Sequence, residues 1–209
     1  QSKQELLKNA NNLLSQFGVA YGAHQFTRTF ALLSEKEKNF KIGELVNLLN
    51  FFNDKLAISS FASSGSLLGI VREGGLIGHD DDFDMCYLSN ESEKDKILSE
   101  RTSVIKSLTE AGYKVERGSD CGHLWCTSPK GVLVDIFTGW TESGRCIMHP
   151  LDKTGIDLSE ILPLSRRRIH GHDVYVPRSP EKLLVLNYGS DWNTPSPFWK
   201  FDWSQVKND

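Results

Sequence analysis

Apolar and polar residues follow helical spacing in several parts of the chain. Leucines that recur among polar residues predict an amphipathic helix over residues 2–17, and a second helix is predicted over about residues 37–56. Residues 94–111 show the same spacing, and Gly112 then offers a residue type that often ends a helix. Residues 180–188 begin with proline, which suits the first turn of a helix. The buried side of the second helix is predicted to consist of Phe40, Ile42, Leu45, Leu48, Leu49 and Phe52.

Shorter apolar runs predict strands between and after these helices. A short helix is predicted over residues 66–72 with Ser66 as its N-cap, because a serine side chain accepts a hydrogen bond from the free N–H groups of a first turn. A hairpin is predicted around His170-Gly171-His172. The predicted strands are residues 57–62, 83–88, 113–116, 123–126, 132–137, 145–148, 166–169 and 174–176. Helices and strands mixed in this way predict an α/β (α+β) domain.

Composition and charge narrow the classes of partner. The 209 residues are 39% hydrophobic and 24% charged, which is typical of a globular protein with a real core. A formal net charge of −3 gives no electrostatic reason to expect nucleic acid as a partner. No apolar run approaches the ~20 residues that cross a bilayer, so no membrane span is expected. The chain opens on Gln1 rather than Met, so we expect part of a larger polypeptide or a processed product.

The four cysteines are too sparse for a disulfide scaffold and form no CxxC pair. This usage predicts a reducing compartment, and we expect a cytoplasmic location. Cys121, His123 and Cys126 are close enough in sequence to share a zinc ion. The segment has a strand pattern and no fourth ligand is evident, so structural thiols are the favoured interpretation and a zinc site is the alternative.

The main chemical signal is an acidic run, His79-Asp80-Asp81-Asp82-Phe83-Asp84-Met85. Two like charges ~4 Å apart repel by about 4 kcal/mol at an effective dielectric near 20, so a cation must lie among these carboxylates or some must hold protons. Strand alternation predicts that Asp80, Asp82 and Asp84 lie on one face. Such a row of oxygens suits a hard divalent cation, Mg²⁺ or Mn²⁺.

Two other interpretations of this run are an acidic solvated loop and a calcium loop. Apolar residues on both sides weigh against the solvated loop. The calcium loop requires glycine at its sixth position, where this chain has Met85, and it requires flanking helices rather than strands.

Two further features lie outside the run. Gly65-Ser66 is predicted between a strand and a helix, where backbone N–H groups and a hydroxyl can bind a phosphate. Asp135 lies inside the apolar stretch 132–137, where a lone carboxylate is costly unless it binds something. Pairing of Asp135 with an internal arginine is the alternative to a role in metal binding.

Taken together, these segments resemble the polymerase-beta-like nucleotidyltransferases and, within that superfamily, the LicD/fukutin family. The interval between Ser66 and Asp82 is longer than usual for the superfamily, and this points to the LicD branch. Gly78 and His79 depart from the family, which usually has Pro-Trp at these positions. The matching segments are Gly65-Ser66-Leu67-Leu68-Gly69, Arg72-Glu73-Gly74-Gly75, residues 77–84, Val174-Tyr175-Val176-Pro177, Leu183-Leu184, Tyr188-Gly189 and residues 191–195.

The resemblance implies a nucleotidyltransferase-like mixed sheet flanked by helices, with residues 1–56 as an N-terminal helical segment and residues 57–209 as the catalytic domain. It also implies transfer of phosphocholine or an alditol phosphate from a CDP-activated donor to a glycan acceptor. The metal ligands would be Asp80, Asp82, Asp84 and Asp135, and the catalytic residues Asp82, Asp84 and Asp135.

Asp135 would also accept the proton of the acceptor hydroxyl, while Gly65 and Ser66 would bind the departing phosphate. Arg72 would neutralise charge there, or would instead pair with the acidic run. Two other functions stay open at this point. One is a nucleotidyltransferase proper, which moves the nucleotide itself. The other is a non-catalytic glycan- or nucleotide-binding module of a larger synthase.

Overall fold

A computed structural model describes residues 2–117, 122–148, 155–196 and 198. Within these ranges the chain forms helices and strands in mixed order, as predicted. The helices are α1 (Lys3–Leu14), α2 (Glu35–Asn50), α3 (Ser64–Leu68), α4 (Lys94–Glu110), α5 (Leu158–Ile161) and α6 (Pro180–Tyr188). The strands are β1 (Ala20–Gly22), β2 (Gln25–Thr27), β3 (Ser60–Ala62), β4 (Asp84–Leu88), β5 (Lys114–Arg117), β6 (His123–Thr127), β7 (Leu133–Glu142), β8 (Arg145–Met148), β9 (Ile156–Asp157), β10 (Ser165–Ile169) and β11 (His172–Val176).

The central sheet of the described chain has the strand order β3-β4-β7-β6-β5, β8 also pairs with β7, and β9 pairs with β8. The pair β4 and β7 is parallel, whereas the other pairs are antiparallel. Strand β7 is long enough to pair with β6 along its first half and with β8 along its second. This sheet confirms the predicted α/β (α+β) class with a mixed sheet and flanking helices.

Helix α2 contributes buried residues to the core, and a local capping motif sets its first residue. Ser34 caps it by accepting from the N–H of Glu37, and the Glu37 carboxylate accepts from the N–H of Ser34 in return. The helix then packs against β3 and β11. The predicted burial is correct for Ile42, Leu45, Leu48 and Leu49 on α2, and for Phe52, which lies just after the end of this helix. It is wrong for Phe40, which is 45% exposed and lies under the ammonium group of Lys130.

The strands β1 and β2 form a hairpin that the sequence did not predict. This hairpin and the residues after it hold the loop that enters the acidic run, through hydrogen bonds from backbone N–H groups to loop carbonyl groups. These bonds join Ala23 to His79, Phe30 to Asp80, and Ala31 to Gly78. The approach is so close that a Cβ atom on Gly22 would lie 2.2 Å from the carbonyl oxygen of His79. The segment before residue 57 therefore shapes the acidic loop directly.

Two local predictions near the acidic run are wrong. The short helix begins with Ser63 at its N-cap rather than Ser66, so Ser66 lies inside α3. Strand β4 begins at Asp84, and Asp80 and Asp82 lie in the loop before it. Strand alternation therefore does not place these three carboxylates on one face, and their arrangement depends on the fold of the loop.

The helices within the described ranges are each too short or too polar to cross a lipid bilayer.

Candidate active site

Asp84 and Asp135 lie side by side on the two parallel strands at the centre of the sheet. Asp84 is the first residue of β4, and its Cα partner on β7 is Asp135. Side chains of paired residues on neighbouring strands project to the same face. The structure therefore brings together two acidic residues that are 51 positions apart in sequence.

The Gly65-Ser66 turn fixes the carboxylate of Asp84. The backbone N–H of Gly65 donates to Oδ2 of Asp84 at 2.9 Å, and the N–H of Ser66 approaches the same oxygen at 3.4 Å. In return, the N–H of Asp84 donates to Oγ of Ser66 at 2.9 Å. The first turn of α3 thus binds a carboxylate of the protein itself in this structure, and phosphate binding by Gly65 and Ser66 stays a prediction.

Asp80 and Asp82 join this pair from the preceding loop. A Cβ atom on Gly65 would lie 2.7 Å from Oδ2 of Asp80 and 3.2 Å from Oδ2 of Asp84, so both carboxylates converge on one glycine. Burial and the charge of Asp82 raise the pKa of Asp80 to about 8. Burial and the charges of Asp82, Asp80 and Asp135 raise the pKa of Asp84 well above its usual range. These carboxylates are close enough to oppose one another's ionisation.

His24, at the tip of the β1–β2 hairpin, partly offsets this negative charge. Its Nδ1 lies 2.9 Å from Oδ1 of Asp81 and 3.8 Å from Oδ2 of Asp82. Burial alone would lower the pKa of His24, but the hydrogen bond to Asp81 and the charge of Asp82 outweigh burial and raise it. Ligand atoms of His24, Asp80, Asp81 and Asp82 all lie within 4.8 Å of one another.

Asp135 has a histidine beside it rather than an arginine. Nε2 of His123 lies 3.0 Å from Oδ2 of Asp135, and the ring of His123 stacks on Phe137. The contact is not aligned as a hydrogen bond, so Nε2 of His123 is buried without a hydrogen-bond partner among the described residues. The other carboxylate oxygen, Oδ1 of Asp135, is also buried without a hydrogen-bond partner there. A buried carboxylate oxygen with no donor is costly, and a bound donor or cation would relieve that cost.

The donor set fits a hard divalent cation. Asp80, Asp82, Asp84 and Asp135 supply only oxygen atoms, which are the ligands that Mg²⁺ and Mn²⁺ prefer. A bound cation would relieve both the raised pKa of Asp84 and the unpartnered Oδ1 of Asp135. The chemistry of the site and its unsatisfied oxygen are therefore both consistent with the predicted ion.

Arg72 lies near the site but faces other groups. Its Nε donates to Glu73 at 2.7 Å, and one terminal nitrogen donates to the carbonyl oxygen of Trp192 at 3.2 Å. In the part of the chain that the structure describes, Arg72 forms no ion pair with the acidic run, which removes that alternative there. Burial, followed by the charges of Asp84 and Asp80, raises the pKa of Tyr188, so its phenol on α6 also lies within the field of the site.

The zinc alternative gains no support from the described residues. His123 and Cys126 are three positions apart on β6 and therefore project to opposite faces, with Cys126 fully buried. Cys121 lies outside the described residues. Cys86, Cys126 and Cys146 are buried free thiols, as the structural interpretation expects.

Sequence patterns did not link three residues to this site: His24, His123, which was considered only as a zinc ligand, and Tyr188, which was noted only in a matching segment. Each lies far in sequence from the carboxylate that it approaches, and none forms a local motif with it. The separation of His123 from Asp135 is twelve positions across an antiparallel pair. A register prediction for β6 and β7 would have placed His123 there, since it lies on the face of Asp135.

We expect Gly65→Ala to reduce turnover of the expected CDP-activated donor at least tenfold, which corresponds to about 1.4 kcal/mol of activation barrier. The new methyl carbon would lie 2.7 Å from Oδ2 of Asp80 and would displace the carboxylates from their common position. Steady-state kinetics at saturating Mg²⁺ measures the effect. Gly78→Ala is the matched control, since its Cβ would meet its nearest neighbour, Ala31, at an ordinary 3.5 Å. Equal rates for the two variants would contradict a tight carboxylate cluster at Gly65.

Comparison with known proteins adds an independent line of evidence. A family model described as LicD/FKTN/FKRP, nucleotidyltransferase domain, matches residues 57–179. The chain is 28% identical over 186 residues to the Caenorhabditis elegans protein "Uncharacterized protein T07A5.1". The matched region covers 83% of this chain and 47% of that protein. The chain therefore spans about half the length of this relative.

Similar solved structures include an antibiotic-resistance factor and an antibiotic adenylyltransferase. The solution structure of "Antibiotic-Resistance Factor ANT(2'')-Ia" has a TM-score of 0.50 at 14% identity, covering 80% of this chain and 78% of that one. The crystal structure of "lincosamide antibiotic adenylyltransferase LnuA, lincomycin-bound" has a TM-score of 0.47 at 16% identity, covering 71% of this chain and 87% of that one. At 14% identity the likeness to ANT(2'')-Ia concerns the fold alone, and it agrees with the predicted mixed sheet flanked by helices.

Proposed function

Because the chain belongs to the LicD/FKTN/FKRP nucleotidyltransferase-domain family, we propose that it is a metal-dependent phosphotransferase. It moves a phosphate-linked group, an alditol phosphate or phosphocholine, from a CDP-activated donor to a glycan acceptor. The family match and the fold support a nucleotidyl- or phosphotransferase-type enzyme. We infer the CDP-activated donor and the glycan acceptor from the resemblance to the LicD family.

The observation that carries the proposal is the pairing of Asp84 with Asp135 beside the Gly65-Ser66 turn. Asp80, Asp82, Asp84 and Asp135 would hold Mg²⁺ or Mn²⁺. When bound, the ion would neutralise charge on the donor's diphosphate. A set of acidic residues that repel one another this strongly costs stability, and a catalytic role gives a reason for retaining it.

The protein's own side chains and backbone groups would carry out the other parts of the reaction. The acceptor hydroxyl attacks the phosphorus that carries the transferred group, a new P–O bond forms, and the P–O bond to CMP breaks. Asp135 accepts the hydroxyl proton. Gly65 and Ser66 hold the departing phosphate, which requires that Asp84 release at least one of their N–H groups. Arg72 adds positive charge near that phosphate.

Product analysis tests this proposal. The wild-type protein is incubated with Mg²⁺ and, in separate reactions, with CDP-ribitol, CDP-choline and CTP. We expect release of CMP from a CDP-linked donor, even when water is the only acceptor, and no pyrophosphate from CTP. The matched control is the same reaction with EDTA in place of Mg²⁺. Pyrophosphate release together with nucleotidylation of an acceptor would instead support a nucleotidyltransferase, and metal-dependent binding without turnover would support a binding module.

A further inference from the structure

An exposed tryptophan lies next to Asp135 on the same face of the sheet. Trp125 on β6 is the Cα partner of Asp135 on β7, so the two side chains project to the same side. Trp125 is 39% exposed, whereas its neighbours Leu124 and Cys126 are fully buried on the opposite face. An indole that remains accessible beside a candidate catalytic carboxylate is available to contact a substrate.

Neighbouring aromatic rings hold this indole in position. The ring of His123 lies 4.7 Å from that of Trp125 at an angle of 57°, and it stacks on Phe137 at 4.7 Å and 18°. Leu133, two residues before Asp135 on the same face, is 42% exposed and continues the apolar surface. A supported aromatic ring with an apolar neighbour loses little conformational freedom when a ligand stacks on it.

The order of groups across the sheet indicates which substrate reaches Trp125. The Gly65-Ser66 turn follows β3, Asp84 lies on β4, Asp135 on β7 and Trp125 on β6. Neighbouring strands are about 4.8 Å apart, so Trp125 lies one strand beyond Asp135, on the side away from the turn. In phosphoryl transfer the attacking and leaving oxygens lie roughly in line on opposite sides of phosphorus. With CMP leaving towards the turn, the acceptor approaches from the side of Trp125.

We propose that Trp125 is the acceptor-binding platform, on which a sugar ring of the glycan lays its apolar C–H face while one hydroxyl reaches Asp135. This inference rests on the proposed function and specifies its acceptor subsite. A neutral sugar suits the position because the adjacent carboxylates would repel a second anionic group. An indole face matches the flat C–H face of a pyranose in area, and stacking orients the hydroxyl for transfer.

Saturation-transfer NMR on the folded protein tests the subsite directly. The probes are methyl β-D-galactopyranoside, methyl α-D-mannopyranoside and methyl N-acetyl-β-D-galactosaminide, each with CMP and Mg²⁺ present. We expect saturation of the ring protons of at least one glycoside in the wild-type protein. Trp125→Ala should reduce that signal at least about tenfold, and Trp125→Phe should retain part of it.

Trp140→Ala is the matched control and should change the glycoside signal less than about twofold. Trp140 is half-buried on β7 and lies five positions after Asp135, so it projects to the opposite face. Thermal melting establishes that each variant is folded, and Trp125→Gln replaces Trp125→Ala if the latter does not fold.

Three results would overturn the subsite. The first is a full glycoside signal in Trp125→Ala, and the second is the absence of any glycoside signal in the wild-type protein. The third is selective loss of the cytosine signals of CMP in Trp125→Ala, which would make Trp125 a donor platform. Failure of the proposed function is measured separately, as the absence of CMP release by the wild-type protein. Glycosides that bind through Trp125 without any donor turnover would leave the subsite standing and remove the phosphotransferase.

Discussion

Asp84→Asn is expected to lower turnover of a CDP-linked donor at least about 1000-fold, or ~4 kcal/mol of barrier, while it raises thermal stability without metal. The amide oxygen can still accept from the N–H groups of Gly65 and Ser66, so the turn keeps its shape. The variant removes a carboxylate whose ionisation is opposed by burial and by the charges of Asp82 and Asp80. The metal would lose a ligand, and the apo protein would no longer hold at this position a carboxyl group whose ionisation the fold opposes.

Two measurements on the same sample check this expectation. Steady-state CMP release gives the rate, and circular dichroism with EDTA gives the melting temperature. Asp173→Asn is the matched control, because Asp173 is an exposed acid on β11 that faces Arg168. It should leave both quantities nearly unchanged. Turnover of Asp84→Asn within about tenfold of wild type, ~1.4 kcal/mol, would remove Asp84 from the catalytic metal site.

The opposite responses of rate and stability distinguish a functional cluster from a structural one. If Asp84 were needed mainly to cap the first turn of α3, its replacement would lower stability and activity together. Functional sites commonly retain groups that weaken the folded state. The raised pKa of Asp80 and that of Asp84 both indicate such a cost in this protein.

Elements specified by local sequence were predicted well. Helix α6 begins with Pro180, and the hairpin of β10 and β11 turns at His170-Gly171, where both residues have positive φ. Both features depend on residues that are only a few positions apart in the sequence. The exposed Phe40 shows where periodicity fails, because helical spacing identifies an apolar stripe but not how much of it the neighbouring elements cover.

The candidate site was predicted in part. Asp135 was singled out because a carboxylate is costly inside an apolar strand, and the register of β4 and β7 then placed it beside Asp84. The positions of Asp80 and Asp82 could not be derived in the same way. They depend on a loop held by the β1–β2 hairpin through long-range backbone hydrogen bonds, which leave no periodic pattern in the sequence. His24 enters the site through that hairpin for the same reason.

The stability of the metal-free protein is expected to fall as the pH rises from 5.5 to 8, and Mg²⁺ should reverse the trend. The pKa of Asp80 is raised to about 8, and those of Asp82 and Asp84 are raised too, so the folded state holds protons that the unfolded state has lost above about pH 4. Stability then declines with pH until the folded groups ionise. His24, with its raised pKa, acts in the same direction, whereas His79, whose pKa burial lowers, opposes it.

Melting temperatures measured with EDTA and with Mg²⁺ at several pH values check this prediction. With EDTA we expect a fall of at least about 5 °C between pH 5.5 and pH 8, since one pKa unit corresponds to about 1.4 kcal/mol. Protons compete with the metal for the same oxygens, so the stabilisation by Mg²⁺ should be larger at pH 8 than at pH 5.5. Asp80→Asn removes one of the responsible groups and should flatten the EDTA profile. A profile that rises with pH in EDTA, or Mg²⁺ stabilisation that is equal at both pH values, would mean that these carboxylates are neither mutually repulsive nor the site of the ion.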